Sequence, residues 1–264
     1  MVNERIFTDM MNRQVEITFP PKSIISVVPS QTELLYDLGL EEEVTGITKF
    51  CIHPRKWFDS KVRVGGTKKL NLTRILKLNP DLIIANKEEN TKEDIEYLAS
   101  RFPVWISDIR TIDDGLKMIR AVGELTGKAN AGKVLATKIR NNFSLLNKTA
   151  KPKRIAYFIW RTPWMTVGND TFIHDVISKT GWQNVYSDKP RYPETSVDEL
   201  KNLNPELILL SSEPYPFKEK HIAELKKELP LAKIMLVDGE MFSWYGSRME
   251  LAAEYLNTLS DSIQ

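Results

Sequence analysis

Ile75-Leu76-Lys77-Leu78-Asn79-Pro80-Asp81-Leu82-Ile83-Ile84 returns as Leu200-Lys201-Asn202-Leu203-Asn204-Pro205-Glu206-Leu207-Ile208-Leu209, with Pro80 matched to Pro205 at an offset of 125 residues. A single recurrence at almost half the length of a 264-residue chain does not build a solenoid, which stacks several short repeats. It predicts two similar lobes, and two lobes make a cleft. The string also has a local logic. Proline disfavours the α conformation in its predecessor, so a short helix should end at Asn79 or Asn204 and the chain should leave it as a strand.

Around the two copies, short apolar runs recur at residues 24–28, 82–85, 104–106, 155–159, 207–210 and 234–237. They read as strands buried on both faces, as parallel sheets require. Helical patterns lie between them. Ser30-Gln31-Thr32-Glu33 reads as a capping box behind Pro29, with Gly39 as the stop. Asp170 or Thr171 is placed to cap a matching helix that ends at Gly181. Each half runs strand, helix closed by glycine, loop, short helix, Asn-Pro turn, strand, helix, strand. The alternation predicts an α/β fold with helices over mostly parallel sheets. From Ala129 to Asn147 there is no proline, and Leu135, Ile139, Phe143 and Leu146 share one helical face. This predicts one long rigid helix of roughly 20 residues, about 30 Å, rather than a Gly/Ser linker. The expected organisation is an N-terminal lobe over 1–127, a connecting helix over 128–150 and a C-terminal lobe over 151–264. A stiff link predicts a clamp that closes little on binding.

Composition excludes several function classes. The chain is an ordinary globular sequence, 42% hydrophobic and 27% charged, with net charge +2 and no basic clustering. Nucleic acid is therefore not an expected partner. Cys51 is the sole cysteine, so no intrachain disulfide can form. No run of about 18 apolar residues predicts a membrane span. Glu4, Arg5, Asp9, Arg13 and Glu16 occupy the first 19 positions, where a signal peptide would carry its apolar core. The sequence as it stands reads as cytoplasmic; a leader already removed would make it periplasmic or lipid-anchored.

Ligands of open α/β sheets bind outside the carboxyl ends of the strands. Ser30 and Gln31 follow the first strand, at a helix N-terminus with free N–H groups, and Asn86 follows the next. In the second half the strand-end segments are Trp160 to Met165, Ser211 to Phe217, and Asp238 to Arg248 with Glu240, Phe242 and Trp244. Trp160, Trp164 and Trp244 are three of the chain's six tryptophans. Aromatics beyond strands are not needed for a sheet core and suit a large, flat, partly apolar ligand. The bland reading is that they plug the lobe interface or cover the sheet end.

Catalytic signatures are mostly absent: there is no HExxH, GxSxG or GxGxxG. Gly127-Lys128-Ala129-Asn130-Ala131-Gly132-Lys133-Val134 nearly spells a phosphate loop, but Val134 stands where a hydroxyl must hold magnesium and no strand precedes it. It reads as a helix start rich in small residues. His53, His174 and His221 have no zinc-type spacing, so no metal site is expected. His53, in a loop, is the one histidine placed to approach a ligand or a metal, against a default of loop packing. Cys51 reads as a small buried hydrophobe.

Ile24-Ile25-Ser26-Val27-Val28-Pro29-Ser30-Gln31-Thr32-Glu33-Leu34-Leu35, Val64-Gly65-Gly66 before Asn71-Leu72-Thr73-Arg74-Ile75, Val167 to Ile173 and Gly181-Trp182-Gln183-Asn184-Val185 occur in order with the two Asn-Pro segments. Together they resemble the cobalamin- and iron-siderophore-binding proteins of ABC importers, the helical-backbone (class III) substrate-binding proteins. The resemblance runs from about residue 15 to 260 and is nearest to the cobalamin-binding branch. It implies no enzyme and no intrinsic cofactor, but a monomer holding cobalamin or a ferric chelate in the inter-lobe cleft. By the same resemblance the ligand is met by Phe50, Gly66, Trp164 or Met165, Tyr192, and Glu240 with Phe242. Asn86 stands where that branch carries an aromatic. A ferric siderophore or haem is the alternative ligand, with Arg161, Arg191 and Arg248 as the cations for an anionic chelate. Docking on an ABC permease through one acid per lobe is implied too; Asp198 matches in the second lobe, but the first-lobe position is Thr73. A cytoplasmic enzyme acting on a metal chelate, with His53 and Cys51 as its nearest reactive groups, is the alternative of another class. An interaction protein with an aromatic-plugged cleft is the third.

Overall fold

The computed structural model describes residues 3–147 and 151–263. Residues 148–150, at the end of the expected connecting helix, lie outside them. The chain divides into two compact units. Unit 1 takes the chain up to Ile109, then Asp113–Arg140 and Tyr245–Arg248; unit 2 takes Arg110–Ile112, Asn141–Trp244 and Met249 onward.

Unit 1 opens with an antiparallel hairpin, β1 (Glu4–Thr8) and β2 (Gln14–Thr18). Then come β3 (Ile24–Ser26), α1 (Pro29–Asp37), β4 (Val44–Ile47), α2 (Arg55–Ser60), β5 (Val62–Arg63), the small pair β6 (Gly65–Gly66) and β7 (Lys69–Leu70), α3 (Leu72–Leu78), β8 (Leu82–Asn86), α4 (Lys92–Ala99), β9 (Val104–Ser107), α5 (Ile112–Leu125) and α6 (Ala129–Ser144). The sheet order is β5-β4-β3-β8-β9, all parallel. Its apolar strands are buried through their whole width: Ile24, Ile25, Ile83, Ile84 and Ala85 are inaccessible to solvent. Each such isoleucine contributes about 1.5–3 kcal/mol.

Unit 2 contains β10 (Arg154–Trp160), β11 (Trp164–Thr166), α7 (Phe172–Lys179), β12 (Gln183–Asn184), β13 (Glu194–Thr195), α8 (Val197–Leu203), β14 (Leu207–Ser211), α9 (Glu219–Glu228), β15 (Lys233–Val237), α10 (Glu240–Ser243) and α11 (Met249–Ile263). Its order is β13-β11-β10-β14-β15, with β12 also on β10. The β10, β12, β14 and β15 pairings are parallel, whereas β11 is antiparallel to both neighbours.

The duplicated string folds identically in both units. Asn71 caps α3 by accepting the Arg74 amide at 3.0 Å, and Ser196 caps α8 by accepting the Glu199 amide at 3.1 Å. Asn79 and Asn204 then end these helices in the left-handed conformation, φ/ψ 44/65° and 45/62°, which asparagine tolerates better than most residues. The acid after each proline ties the first sheet strand to the repeat. Asp81 accepts the Lys22 and Ser23 amides at 2.9 and 3.0 Å, and Glu206 accepts the Arg154 amide at 2.9 Å.

The capping box does not form. Proline favours the first helical position, so α1 starts at Pro29 with Val28 as N-cap and no side-chain cap. Ser30 thereby falls inside the helix. Thr171 does cap α7, accepting the His174 amide at 3.3 Å. The helix after Lys128 ends at Ser144, short of the roughly 20 residues its pattern suggested. Its small residues have a packing cause: a Cβ on Gly132 would lie 2.9 Å from the Ile119 carbonyl and 3.2 Å from the Gly123 Cα. The near phosphate loop is thus a close approach of α5 and α6.

Candidate functional site

At the carboxyl ends of β3, β8 and β9, unit 1 buries a connected polar network. Gln31 Nε2 donates to Ser107 Oγ at 2.5 Å, and Asn86 Nδ2 donates to the same oxygen at 3.0 Å. Asn90 Oδ1 accepts the Asn86 amide at 2.8 Å, while Asn90 Nδ2 spans the Val27 and Thr67 carbonyls, both at 3.1 Å. Ser30, Gln31 and Asn86 all lie near strand ends; Asn86 spends its amide and carbonyl on the strand-end loops, whereas Gln31 is held through Nε2 and its buried Oε1 has no hydrogen-bond partner among the described residues. The bonds made by Asn86 and Asn90 rigidify these loops.

Beside it, the loop after β4 carries Phe50, 49% exposed, with Gly66 directly behind its ring. Cys51 is buried next to it, with Thr32 Oγ1 and Thr48 Oγ1 each 3.1 Å from its sulfur. Burial pushes its thiol pKa up, away from the range of a reactive thiolate. His53 is half-buried ahead of Pro54. Among the described residues no three His, Cys, Asp or Glu side chains gather as a metal cluster.

Unit 2 corrects the reading of the strand-end aromatics. Residues 160–166 form a hairpin rather than a loop, with Trp160 opposite Met165. The turn puts Trp164 inside, stacked on Phe217 at 5.8 Å and edge-on to Phe158 at 5.1 Å. Phe242 is likewise buried, 4.9 Å from the Tyr157 ring. Trp164 and Phe242 belong to the sheet-end core because the antiparallel strand and α10 fold their apolar faces inward. Trp160 stays 39% exposed, 5.6 Å from the half-buried Tyr215. Met165 and Tyr192 are half-buried, with the Arg191 guanidinium 5.6 Å from the Tyr192 ring. The three arginines named for an anionic ligand are engaged by Glu224, Asp170 and Glu33.

Glu213, just past β14, passed unnoticed in the sequence. Its Oε1 accepts Ser243 Oγ at 2.7 Å and Trp244 Nε1 at 2.8 Å. It anchors the segment that carries Trp244, which is itself buried. Burial raises its pKa, and the nearby Glu240 and Asp238 charges push the same way. Lone glutamates at strand ends give no sequence signal for such a role.

His221, at the start of α9 among the charged residues Lys218, Glu219 and Lys220, has the sequence setting of a solvated helix. It is buried instead, its Nδ1 accepting the Lys218 amide at 2.9 Å to cap α9 and its Nε2 3.3 Å from Tyr215 Oη. At the equivalent N2 positions of α3 and α8, Thr73 is exposed and Asp198 is 92% exposed.

A family model described as periplasmic binding protein matches residues 24–234. The chain belongs to this family. It is a family of substrate-binding proteins, and the two-unit α/β architecture with parallel sheets is its fold. Among relatives of this binding protein, the vitamin B12-binding protein of Pectobacterium carotovorum is 25% identical over 89% of this chain and 87% of its own length. An uncharacterized ABC transporter substrate-binding lipoprotein of Bacillus subtilis, YvrC, is 26% identical over 76% of this chain and 67% of its own. Among solved structures, the periplasmic heme-binding protein RhuT of Roseiflexus sp. RS-1 superposes with a TM-score of 0.80 at 20% identity, covering 92% of this chain and 99% of that one. At that identity the likeness concerns the fold.

Proposed function

We propose that the chain is a non-catalytic receptor for a corrinoid (cobalamin-like) or related metal chelate. It would work as the substrate-binding component of an ABC importer, or as a homologue of one. The observation that carries this reading is the exposed aromatic surface at the strand ends of each unit: Phe50 in unit 1, and Trp160 with Tyr215 in unit 2. Such surface gains affinity by desolvating a large apolar ligand, while neighbouring polar groups fix its orientation. The vitamin B12-binding relative of comparable length supports the ligand class. The buried, pKa-raised Cys51 argues against a nucleophile at this position.

For delivery to a permease, Asp198 is the proposed contact on unit 2, with no acidic counterpart at Thr73 on unit 1. The lipoprotein and periplasmic descriptions of relatives favour action outside the cytoplasm over the cytoplasmic location read from the sequence. Cell fractionation separates the two.

The direct test is retention of colour. The protein is mixed with cyanocobalamin, haemin or a ferric siderophore, desalted, and its visible spectrum recorded. A retained chelate spectrum in stoichiometric amount is expected. Retention of none of the three sinks the reading.

A further inference from the structure

Resting on that reading, we infer that unit 1 recognises a planar chelate bearing acidic groups, stacked on Phe50 and paired with Lys49, Lys68 and Lys69. These residues line an open groove of about 840 Å³ that continues along residues 65–73 to the first turn of α3. Phe50 lies against backbone. A Cβ at Gly66 would sit 3.1 Å from Phe50 Cε2 and 3.3 Å from Lys49 Cε. With hydrogen there instead, one ring face rests on the glycine and the residue keeps 49% of its surface in solvent. Such a ring is a stacking platform for a flat π-system.

The charged side chains that line the groove have one sign, with the Glu89 and Asp94 carboxylates close by but outside the lining. Lys49 Nζ stands 5.0 Å from the Phe50 centroid. Lys68 is tethered at the rim by its ammonium to the Glu88 carbonyl, and Lys69 is exposed. No lining residue is acidic, and the neighbouring Asp94 carboxylate accepts the Leu70 amide at 3.2 Å. The arginines that the sequence offered for an anionic ligand are bound to carboxylates elsewhere. The lysine groove is therefore where ligand anions find cations. A corrinoid of zero net charge offers three ammonium groups a single phosphodiester, whereas a flat porphyrin-type ring offers peripheral carboxylates beside its stacking face.

Binding is measured by tryptophan quenching and visible absorbance for wild type and the Lys49→Gln/Lys68→Gln/Lys69→Gln variant. The probes are haemin, haemin with methyl-esterified propionates, a ferric tris-catecholate and cyanocobalamin. Wild type should bind haemin more tightly than the other three probes, and more weakly as salt rises. The triple variant should lose about tenfold to hundredfold for the anionic probe, as expected of three partly exposed charge contacts, with no change for the ester. All three lysines lie at the rim, so circular dichroism should report an intact fold. Loss for haemin but not the tris-catecholate in a Phe50→Ala variant would assign the flat ligand; the reverse would overturn the stacking half of the inference. Equal affinity for the ester and haemin, or an unchanged triple variant that still binds cyanocobalamin, overturns this inference alone. Binding of no probe by wild type overturns the receptor reading with it.

Discussion

The Arg248 guanidinium holds the Glu33 carboxylate in two bonds, Nε to Oε2 at 2.8 Å and Nη2 to Oε1 at 2.5 Å, across 215 positions of sequence. The two side chains are only 8% and 14% exposed. The pair fastens residues 245–248 onto α1, and Gly246 there leaves room for the Ser30 carbonyl. Breaking a buried pair from one side strands a charge. Glu33→Gln should therefore cost about 3–5 kcal/mol, read as a lower urea midpoint. Glu33→Leu/Arg248→Met should recover most of the loss; a double variant no better than the single would show that the packing, not the charge, was lost.

Trp160 and Trp164 separate binding from stability. Trp164→Ala empties a stacked core position and should cost about 3–5 kcal/mol. Trp160→Ala removes an exposed ring, so its thermal midpoint should stay close to wild type while chelate affinity drops. Unchanged affinity in Trp160→Ala, measured on the ligand retained by wild type, would remove unit 2's exposed aromatic from the site.

Histidine burial sets part of the acid sensitivity. Burial lowers the pKa of both His221 and His174 in the folded protein. As pH falls below the ordinary histidine value, 6.5, the unfolded chain takes up these protons first. The contribution is therefore complete above that pH and is lost as pH falls toward the folded values. Melting temperature should decline from pH 7 to 5, and His174→Asn/His221→Asn should flatten that stretch. An equally steep double variant would place the sensitivity elsewhere.

Glu213 works in the opposite direction. Its folded pKa is raised, so the fold keeps a proton that the unfolded chain releases above about 4.5, and stability is lost as pH rises through that window. Gln at this position still accepts from Ser243 and Trp244 without a buried charge. Glu213→Gln should melt higher than wild type at pH 7 and together with it at pH 4. A lower midpoint at pH 7 would mean that the charge-assisted bonds outweigh desolvation.

The twin helix ends give a symmetric test. Asn79→Val and Asn204→Val place a β-branched residue at a left-handed position and should each cost about 1–2 kcal/mol, whereas Gly at either site should be close to neutral. Equilibrium denaturation of the four variants checks it, and a tolerated valine would show that the turn relaxes.

Much of the fold was written in local pattern. Proline's effect on the preceding residue, glycine stops after α1 and α7, and apolar runs without alternation act over a few residues, so the Asn79-Pro80 and Asn204-Pro205 turns and the parallel strands could be read directly. The capping box failed for an equally local reason, since Pro29 competes for the first helical position. What pattern did not contain was direction. Trp160 and Trp164 have nearly the same sequence neighbourhood, and only the antiparallel turn between them puts one ring in solvent and the other against Phe217.

The sequence by itself determined a duplicated α/β architecture, its family, and the asymmetry between Thr73 and Asp198, because these depend on order and spacing along the chain. Only the tertiary structure decided which charges are committed and which remain for a ligand. Arg248 meets Glu33, Arg161 meets Glu224 and Glu213 meets Trp244 through contacts between segments distant in sequence, while Phe50 and Lys49 pack on the bare backbone of Gly66 in a groove that Lys68 and Lys69 also line. Such pairings arise when strand ends converge, and no local periodicity encodes them.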